Sequence, residues 1–417
     1  MFKKLEDAVL RDPSIGWRMQ FRPLCIALNV PGGENTTVRV GPAAISVAPG
    51  LPDRADITYT ASAVAWADFM SARPGVGFQT LYAMGETRHL KIECADMLIY
   101  VQYAMMLEKL FATLRPGVDE TADLYDGVEI EKTVGRYLHL NLNGKAHRIY
   151  FEEAGAGIPL MCLHTAGADG RQYRALLNDP EITGKFRVIV FDLPRHGKSS
   201  PPSGYENEIY VLTTDLYMQT IMAVKNALKL DKPVVMGCSI GGRAVLHLAL
   251  RHGNEFRAAI GLQAAMHAES RLGEELGLNE LHAMYRPDVH GQELSAASVM
   301  MLMSPNTPSK EKWETLWHYM QGGPGIFMGD LVYYFVDGDL RNGLIDGLDT
   351  QTCPLYLLTG EYDLSATPEM SAELARAVNA THFEVMKGVG HFPMSEDPER
   401  FRGYLLPVLE KIEAQAI

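Results

Sequence analysis

Five consecutive residues carry the clearest chemistry. Gly237-Cys238-Ser239-Ile240-Gly241 fits G-x-S-x-G. It directly follows an apolar run that reads as a strand (Pro233–Cys238) and directly precedes one that reads as a helix (Gly241–Gly253). A serine raised on a tight strand-to-helix turn has strained backbone angles and close neighbours, so small residues are needed on both sides. The positive end of the following helix lies beneath it. Ser239 is therefore the expected nucleophile. A base and an acid should follow in the order Ser…Asp…His. Asp363 comes just after a buried apolar run (Pro354–Gly360), and His391 sits in a Gly-flanked loop after the next one (Thr381–Met386). His391 would take the proton of Ser239. Asp363 would fix the tautomer of His391 and stabilise its imidazolium. A lone strand-end Asp or Gly-flanked His is as readily turn chemistry; the order and placement of all three carry the reading. Glu269, after the preceding strand, is the alternative acid. Cys238 is expected to face the core rather than react.

Developing negative charge on a carbonyl oxygen needs two backbone N–H groups aimed at it. Ile240, first after the nucleophile, should supply one. The other should come from His164-Thr165-Ala166-Gly167, with Ala166 the expected donor and Thr165 the alternative. His164 and His196 read as structural histidines in turns. No H-E-x-x-H, paired C-x-x-C, acidic calcium loop or G-x-G-x-x-G occurs, so neither a catalytic metal nor a cofactor is expected.

The elements that must hold these residues alternate β and α from about residue 133 onward. Later strand candidates are continuous apolar runs, as parallel strands buried on both faces require. The first two, Arg136–Leu142 and His147–Ala154, pair as a hairpin around Asn143-Gly144. The result is a mostly parallel doubly wound sheet, with its site at the carboxyl ends of the strands. Residues 264–350 are too many for a simple crossover and should form a helical cap. Their aromatic and Met content, including Trp313, Trp317, Tyr319, Phe327, Tyr333 and Tyr334, packs the cap and roofs a cleft suited to an apolar or aromatic group.

The chain has 417 residues, 47% of them apolar and 21% charged, which excludes a disordered protein. Its net charge of −13 argues against a nucleic-acid partner. Five cysteines without paired spacing do not form a disulfide framework. The first residues lack the apolar stretch of a secretory signal, and no run is long enough to span a membrane, so a cytoplasmic location is expected. Charge divides the chain. Residues 1–115 are close to neutral, while Asp119–Glu131 holds six acids and no base. The expected domains are an N-terminal α+β domain over 1–115, an acidic linker over 116–132, and a catalytic domain over 133–417. In the first, Val38–Gly50, Ala55–Ser62 and His89–Cys94 alternate as strands of an antiparallel sheet, with helices at Ala63–Ala72 and Ala95–Leu114. That domain is a plausible dimerisation surface, and a homodimer is an open expectation.

Two resemblances follow. The order of elements over roughly the first hundred residues resembles the sterol-carrier-protein-2-like fold, which implies an apolar tunnel for acyl or sterol-like ligands. An ordinary core supporting assembly would use the same residues. From about residue 133 the chain resembles the α/β-hydrolase fold family. The elbow at Ser239, Asp363 and His391 match its motif positions, and Asp192-Leu193-Pro194-Arg195-His196-Gly197-Lys198-Ser199 looks like its D-x-x-G-x-G-x-S segment. The chain departs from the family at Thr165, where a glycine is usual. The resemblance implies a serine hydrolase acting through an acyl-enzyme on an ester, lactone, thioester or amide of an apolar or aromatic small molecule. Serine at the elbow disfavours epoxide hydrolase and haloalkane dehalogenase chemistry, which use Asp. Carbon–carbon bond hydrolysis and acyl transfer remain open, as does a lipid-binding protein whose triad is silent.

Overall fold

The computed structural model describes residues 1–117, 127–269 and 280–415. They fall into two compact units. The first takes in the described residues within Met1–Thr121 and Ser270–Pro305; the second takes in those within Ala122–Glu269 and Asn306–Ile417. Residues 118–126 of the expected acidic linker, and the part of the expected cap at 270–279, lie outside the described residues.

The first unit is built on β1 (Leu24–Asn29), β2 (Thr36–Val40), β3 (Ile45–Pro49), β4 (Ile57–Thr60) and β5 (Lys91–Cys94), in the order β3-β2-β1-β4-β5. The continuous strand expected over Val38–Gly50 is a hairpin: β2 and β3 pair with Val38 opposite Val47, and the chain turns at Gly41-Pro42. Proline cannot supply the N–H that would continue the ladder. The sheet is also mixed rather than antiparallel, which corrects the expectation. Strand β1, whose apolar run was not read as a strand, pairs antiparallel with β2 and parallel with β4. The helix Met97–Ala112 covers this sheet. Trp66 stacks on its Phe111 (centroids 5.7 Å apart), and Tyr59 meets the same ring edge-on at 5.4 Å. Each fully buried large apolar side chain contributes roughly 1.5–3 kcal/mol. The helix Gly291–Met300 packs on Met97–Ala112 within this unit, and Gln79 donates to the carbonyl of Met301 at 2.8 Å.

The second unit contains β6 (Val134–Leu142), β7 (Lys145–Ala154), β8 (Ile158–Leu163), β9 (Phe186–Phe191), β10 (Val234–Cys238), β11 (Ala258–Leu262), β12 (Leu355–Gly360) and β13 (His382–Met386). Their order is β13-β12-β11-β10-β8-β9-β7-β6. The β6–β7 hairpin turns at Asn143 and Gly144, both at positive φ (48° and 76°), the geometry of a two-residue type I′ turn. From β8 onward the neighbouring strands run parallel, and β7 joins them antiparallel to β9. Their apolar residues form two cores. One contains residues of the helices Thr214–Ala227, Ile240–His252 and Pro368–Ala377; the other contains residues of the C-terminal helix Pro398–Ala414. The helices Ser309–Met320 and Ile326–Val332 and the π-turn Tyr333–Asp337 belong to this unit. Among the described residues no helix is long and apolar enough to cross a membrane.

Candidate active site

Strand β10 ends at Cys238, and the next helix begins at Ile240, which leaves Ser239 alone on the turn. Its backbone sits at φ 60° and ψ −113°, a conformation that costs a non-glycine residue about 1–3 kcal/mol. The flanking glycines are steric requirements. A Cβ on Gly237 would lie 2.4 Å from the carbonyl oxygen of Gly241, and a Cβ on Gly241 would lie 2.6 Å from that of Leu163. Cys238 is buried, and burial pushes its thiol well above the usual range. Its Sγ donates to the carbonyl of His391 at 3.1 Å, so it faces the core and braces the loop of the expected base.

That loop is held on several sides. His391 Nδ1 meets Asp363 Oδ2 at 2.8 Å, and both residues are buried. The other oxygen of Asp363 accepts the N–H groups of Ser365 (2.8 Å) and Ala366 (3.1 Å), so the carboxylate is fixed as an acceptor. Glu396, fully buried, accepts the N–H of Gly390 and, at 3.4 Å, that of Phe392, on either side of His391. Gln263 ties the two loops together: it accepts from Gly360 N–H and donates to the carbonyl of Gly390, each at 2.8 Å. Glu269, the alternative acid, is exposed and pairs with Arg341 at 3.1 Å. Ser239 Oγ makes no hydrogen bond to His391 among the described residues. Such bonds commonly tighten only when substrate is bound.

The N–H of Thr165 donates to Gln172 at 3.0 Å, so it is occupied. Those of Ala166 and Ile240 have no acceptor among the described residues. Ile240 is the first residue of its helix, where backbone donors are unsatisfied by the helix itself. His164 is a structural histidine. Nδ1 donates to the carbonyl of Thr165 (2.8 Å), Nε2 accepts from Leu193 N–H (3.1 Å), and burial holds its pKa down to about 4.

The second unit's inserted helices press on this loop. Tyr319 and Thr165 share a hydrogen bond of 2.6 Å between their hydroxyls, and Tyr319 meets the rings of Phe327 and Phe392 edge-on. Ser365 Oγ donates to the hydroxyl of Tyr334, on the π-turn, at 3.3 Å. Burial pushes that phenol up to about 12; Asp363 adds to the rise, and the hydroxyls of Ser365 and Ser239 oppose it. Beside Gly167 and Ala168 lies a cavity of about 290 Å³, walled by charged groups including Asp169, Arg171, Asp192 and Lys198. Ser239 and His391 are not among its walls. Gln263 and Glu396 were not singled out by spacing: Gln263 acts across the fold, and Glu396, only four and six positions from its partners, lies in no motif. Tyr334, expected only as an aromatic of the cap, also reaches Ser365 beside Asp363. Among the described residues no group of three or more His, Cys, Asp or Glu is placed to hold a metal ion.

Three kinds of group thus lie beyond carboxyl ends of strands of the same sheet: a strained serine after β10, an imidazole after β13 with one nitrogen free of partners among the described residues, and two backbone donors without acceptors among them. Such a set can deliver an activated hydroxyl to a carbonyl and stabilise the oxyanion that forms. The profile of the alpha/beta hydrolase family matches residues 160–403. A proline iminopeptidase from Heyndrickxia coagulans is similar at 23% identity over 280 residues, 63% of this chain and 94% of that protein. A 2-hydroxy-6-oxo-6-phenylhexa-2,4-dienoate hydrolase from Burkholderia cepacia is similar at 29% identity over 130 residues; the match covers 29% of this chain and 42% of that protein. An esterase from Thermogutta terrifontis shares the fold, with a TM-score of 0.56 and 21% identity over 66% of this chain and 99% of that one. With more than half of its residues matched by the family profile, the chain belongs to the alpha/beta hydrolase family.

Proposed function

We propose that the protein is a serine hydrolase that cleaves a carboxylic ester, or a related lactone, thioester or amide, of an apolar or aromatic small molecule. The observation that carries this reading is the strained Ser239 at the same sheet edge as the buried His391–Asp363 pair. Ser239 Oγ attacks the carbonyl carbon while its proton passes to His391 Nε2. The N–H groups of Ile240 and Ala166 stabilise the oxyanion, each worth about 3–4 kcal/mol in comparable sites. Collapse breaks the bond to the leaving alcohol, which departs with the proton from His391. Water, deprotonated by His391, then attacks the acyl-enzyme and releases the acid and Ser239. The aromatic side chains Tyr319, Phe327 and Phe392 beside the oxyanion loop support an apolar or aromatic substrate. Replacing Ser239 by Ala is expected to abolish turnover of short aryl esters and labelling by a fluorophosphonate. Labelling retained in that variant would sink the assignment.

A second reading keeps the site and changes the bond. Similarity to the Burkholderia cepacia dienoate hydrolase favours carbon–carbon cleavage of a vinylogous diketone. A panel of aryl esters and such diketones separates the two by relative kcat/KM. The likeness of the first unit to the sterol-carrier-protein-2-like fold belongs to the same proposal, supported by its five-stranded sheet covered by an apolar helix. Acyl or sterol ligand that co-purifies with the chain would bear it out. A cytoplasmic location and a homodimer complete the proposal, the first supported by five free cysteines.

A further inference from the structure

Besides His391–Asp363, the second unit contains another buried histidine–carboxylate pair, and it lies against the oxyanion loop. Asp330, on the inserted helix Ile326–Val332, is fully buried. Its Oδ2 accepts the N–H of Gly167 at 2.7 Å and meets His196 Nε2 at 2.8 Å; its Oδ1 accepts the hydroxyl of Tyr210 at 2.8 Å. His196 Nδ1 faces the carbonyl of Pro194 at 3.0 Å. Both ring nitrogens therefore meet acceptors, and an imidazole satisfies two acceptors only when both nitrogens bear hydrogen. His196 is thus an imidazolium, and its charge anchors the carboxylate.

We propose that Asp330 is a positioning residue: its carboxylate grips Gly167 N–H and so aims the adjacent N–H of Ala166 at the reacting oxygen. This rests on the hydrolase reading above, because Ala166 matters only if an oxyanion forms. Ala166 is held from both sides while its own N–H has no acceptor among the described residues. Thr165 is tied to Tyr319, and Gly167 to Asp330, both on inserted helices. Contact at Gly167 is close: a Cβ there would stand 2.7 Å from the Phe327 ring, and the residue sits at φ +67°. The carboxylate cannot swing away without breaking a charge-assisted bond in a buried setting. The inserted helices are thereby part of the oxyanion site, and the donor is formed only when they are seated.

The test uses the full chain with Asp330→Ala and Asp330→Asn. Three quantities are measured: steady-state hydrolysis of an aryl ester, inhibition by an aryl trifluoromethyl ketone that forms an oxyanion adduct, and inhibition by the product acid. Misplacing a catalytic group by about 1 Å costs on the order of 100-fold. Asp330→Ala should therefore lose about 100-fold in kcat, with KM and product inhibition within about threefold of wild type. Affinity for the ketone should fall in step with kcat. Asp330→Asn keeps the shape and one acceptor, so it should lose less with the same split, and it decides the matter if Asp330→Ala does not fold. Unchanged kcat in a folded variant, or equal weakening of ketone and product acid, overturns the inference. If the wild-type chain is not labelled at Ser239, the hydrolase reading falls first and this inference with it. If it is labelled and turns over ester while the Asp330 variants match it, only this inference falls.

Discussion

His391–Asp363 and His196–Asp330 are alike in geometry. Each joins an imidazole to a carboxylate at 2.8 Å, and each is buried. What separates them is the second nitrogen of the ring. His391 binds only through Nδ1 and keeps Nε2 free of protein partners among the described residues. His196 has an acceptor on each nitrogen. In the proposed reaction the first ring takes the proton of Ser239 on Nε2 and returns it. The second is held in its charged form: burial pulls its pKa down, but Asp330, the Pro194 carbonyl and Asp192 together raise it. Pairing with a carboxylate therefore does not by itself fit a histidine to act as a base; the proposed role of His391 also needs its unoccupied nitrogen.

The contrast can be broken at either pair. Asp363→Asn should have the largest effect on activity. The amide would donate to Nδ1 and drive the proton onto Nε2, where it blocks acceptance from Ser239. A loss of about 10⁴-fold in kcat is expected, with little change in denaturation midpoint. An ester kcat within tenfold of wild type would break this side of the comparison. His196→Gln should act oppositely, through stability. It removes the cation and leaves the Asp330 carboxylate buried without its counter-ion, which costs about 3–5 kcal/mol. Urea denaturation reads this directly, and a loss below about 1 kcal/mol would show that His196 is not charged.

A third effect is in pH dependence. Burial lowers the pKa of His164, His247 and His318 to about 4 each, so the folded state keeps them neutral. The unfolded chain protonates them near 6.5. Their contribution to stability is complete above that value and is lost as pH falls from about 6.5 toward 4, by at most about 1.4 kcal/mol per pH unit for each. His196 has the opposite sign: its raised pKa stabilises below about 6.5, and that contribution fades as pH rises through the folded value. The two effects act in different windows: the three buried histidines make stability fall from about pH 6.5 toward 4, and His196 adds a slope of opposite sign only above about 6.5. In the His196→Gln variant the opposing slope above about pH 6.5 is gone, while the fall caused by the three buried histidines below that value stays. Denaturation midpoints at pH 8, 7, 6 and 5 check both windows.

The sequence by itself determined the local units: Ser239 on its turn, Asp363 and His391 after successive strands, the Asn143-Gly144 hairpin, and apolar runs long enough for parallel strands. These follow from short-range sterics and burial periodicity, which neighbouring residues carry among themselves. Strand β1 and the C-terminal helix Pro398–Ala414 were not foreseen, and the mixed pairing of the first sheet was misread. Strand pairing depends on which strand arrives beside which, and no stretch of five or six residues records that. The same holds for the groups that make the candidate site rigid. Gln263 bridges to Gly390 across 127 positions, Asp330 reaches His196 across 134, and it reaches Gly167 across 163. Nothing in the spacing of the chain distinguishes Asp330 from a solvated aspartate on a helix. Only the tertiary fold removed water from around it and supplied the imidazolium and the backbone N–H that a buried carboxylate requires.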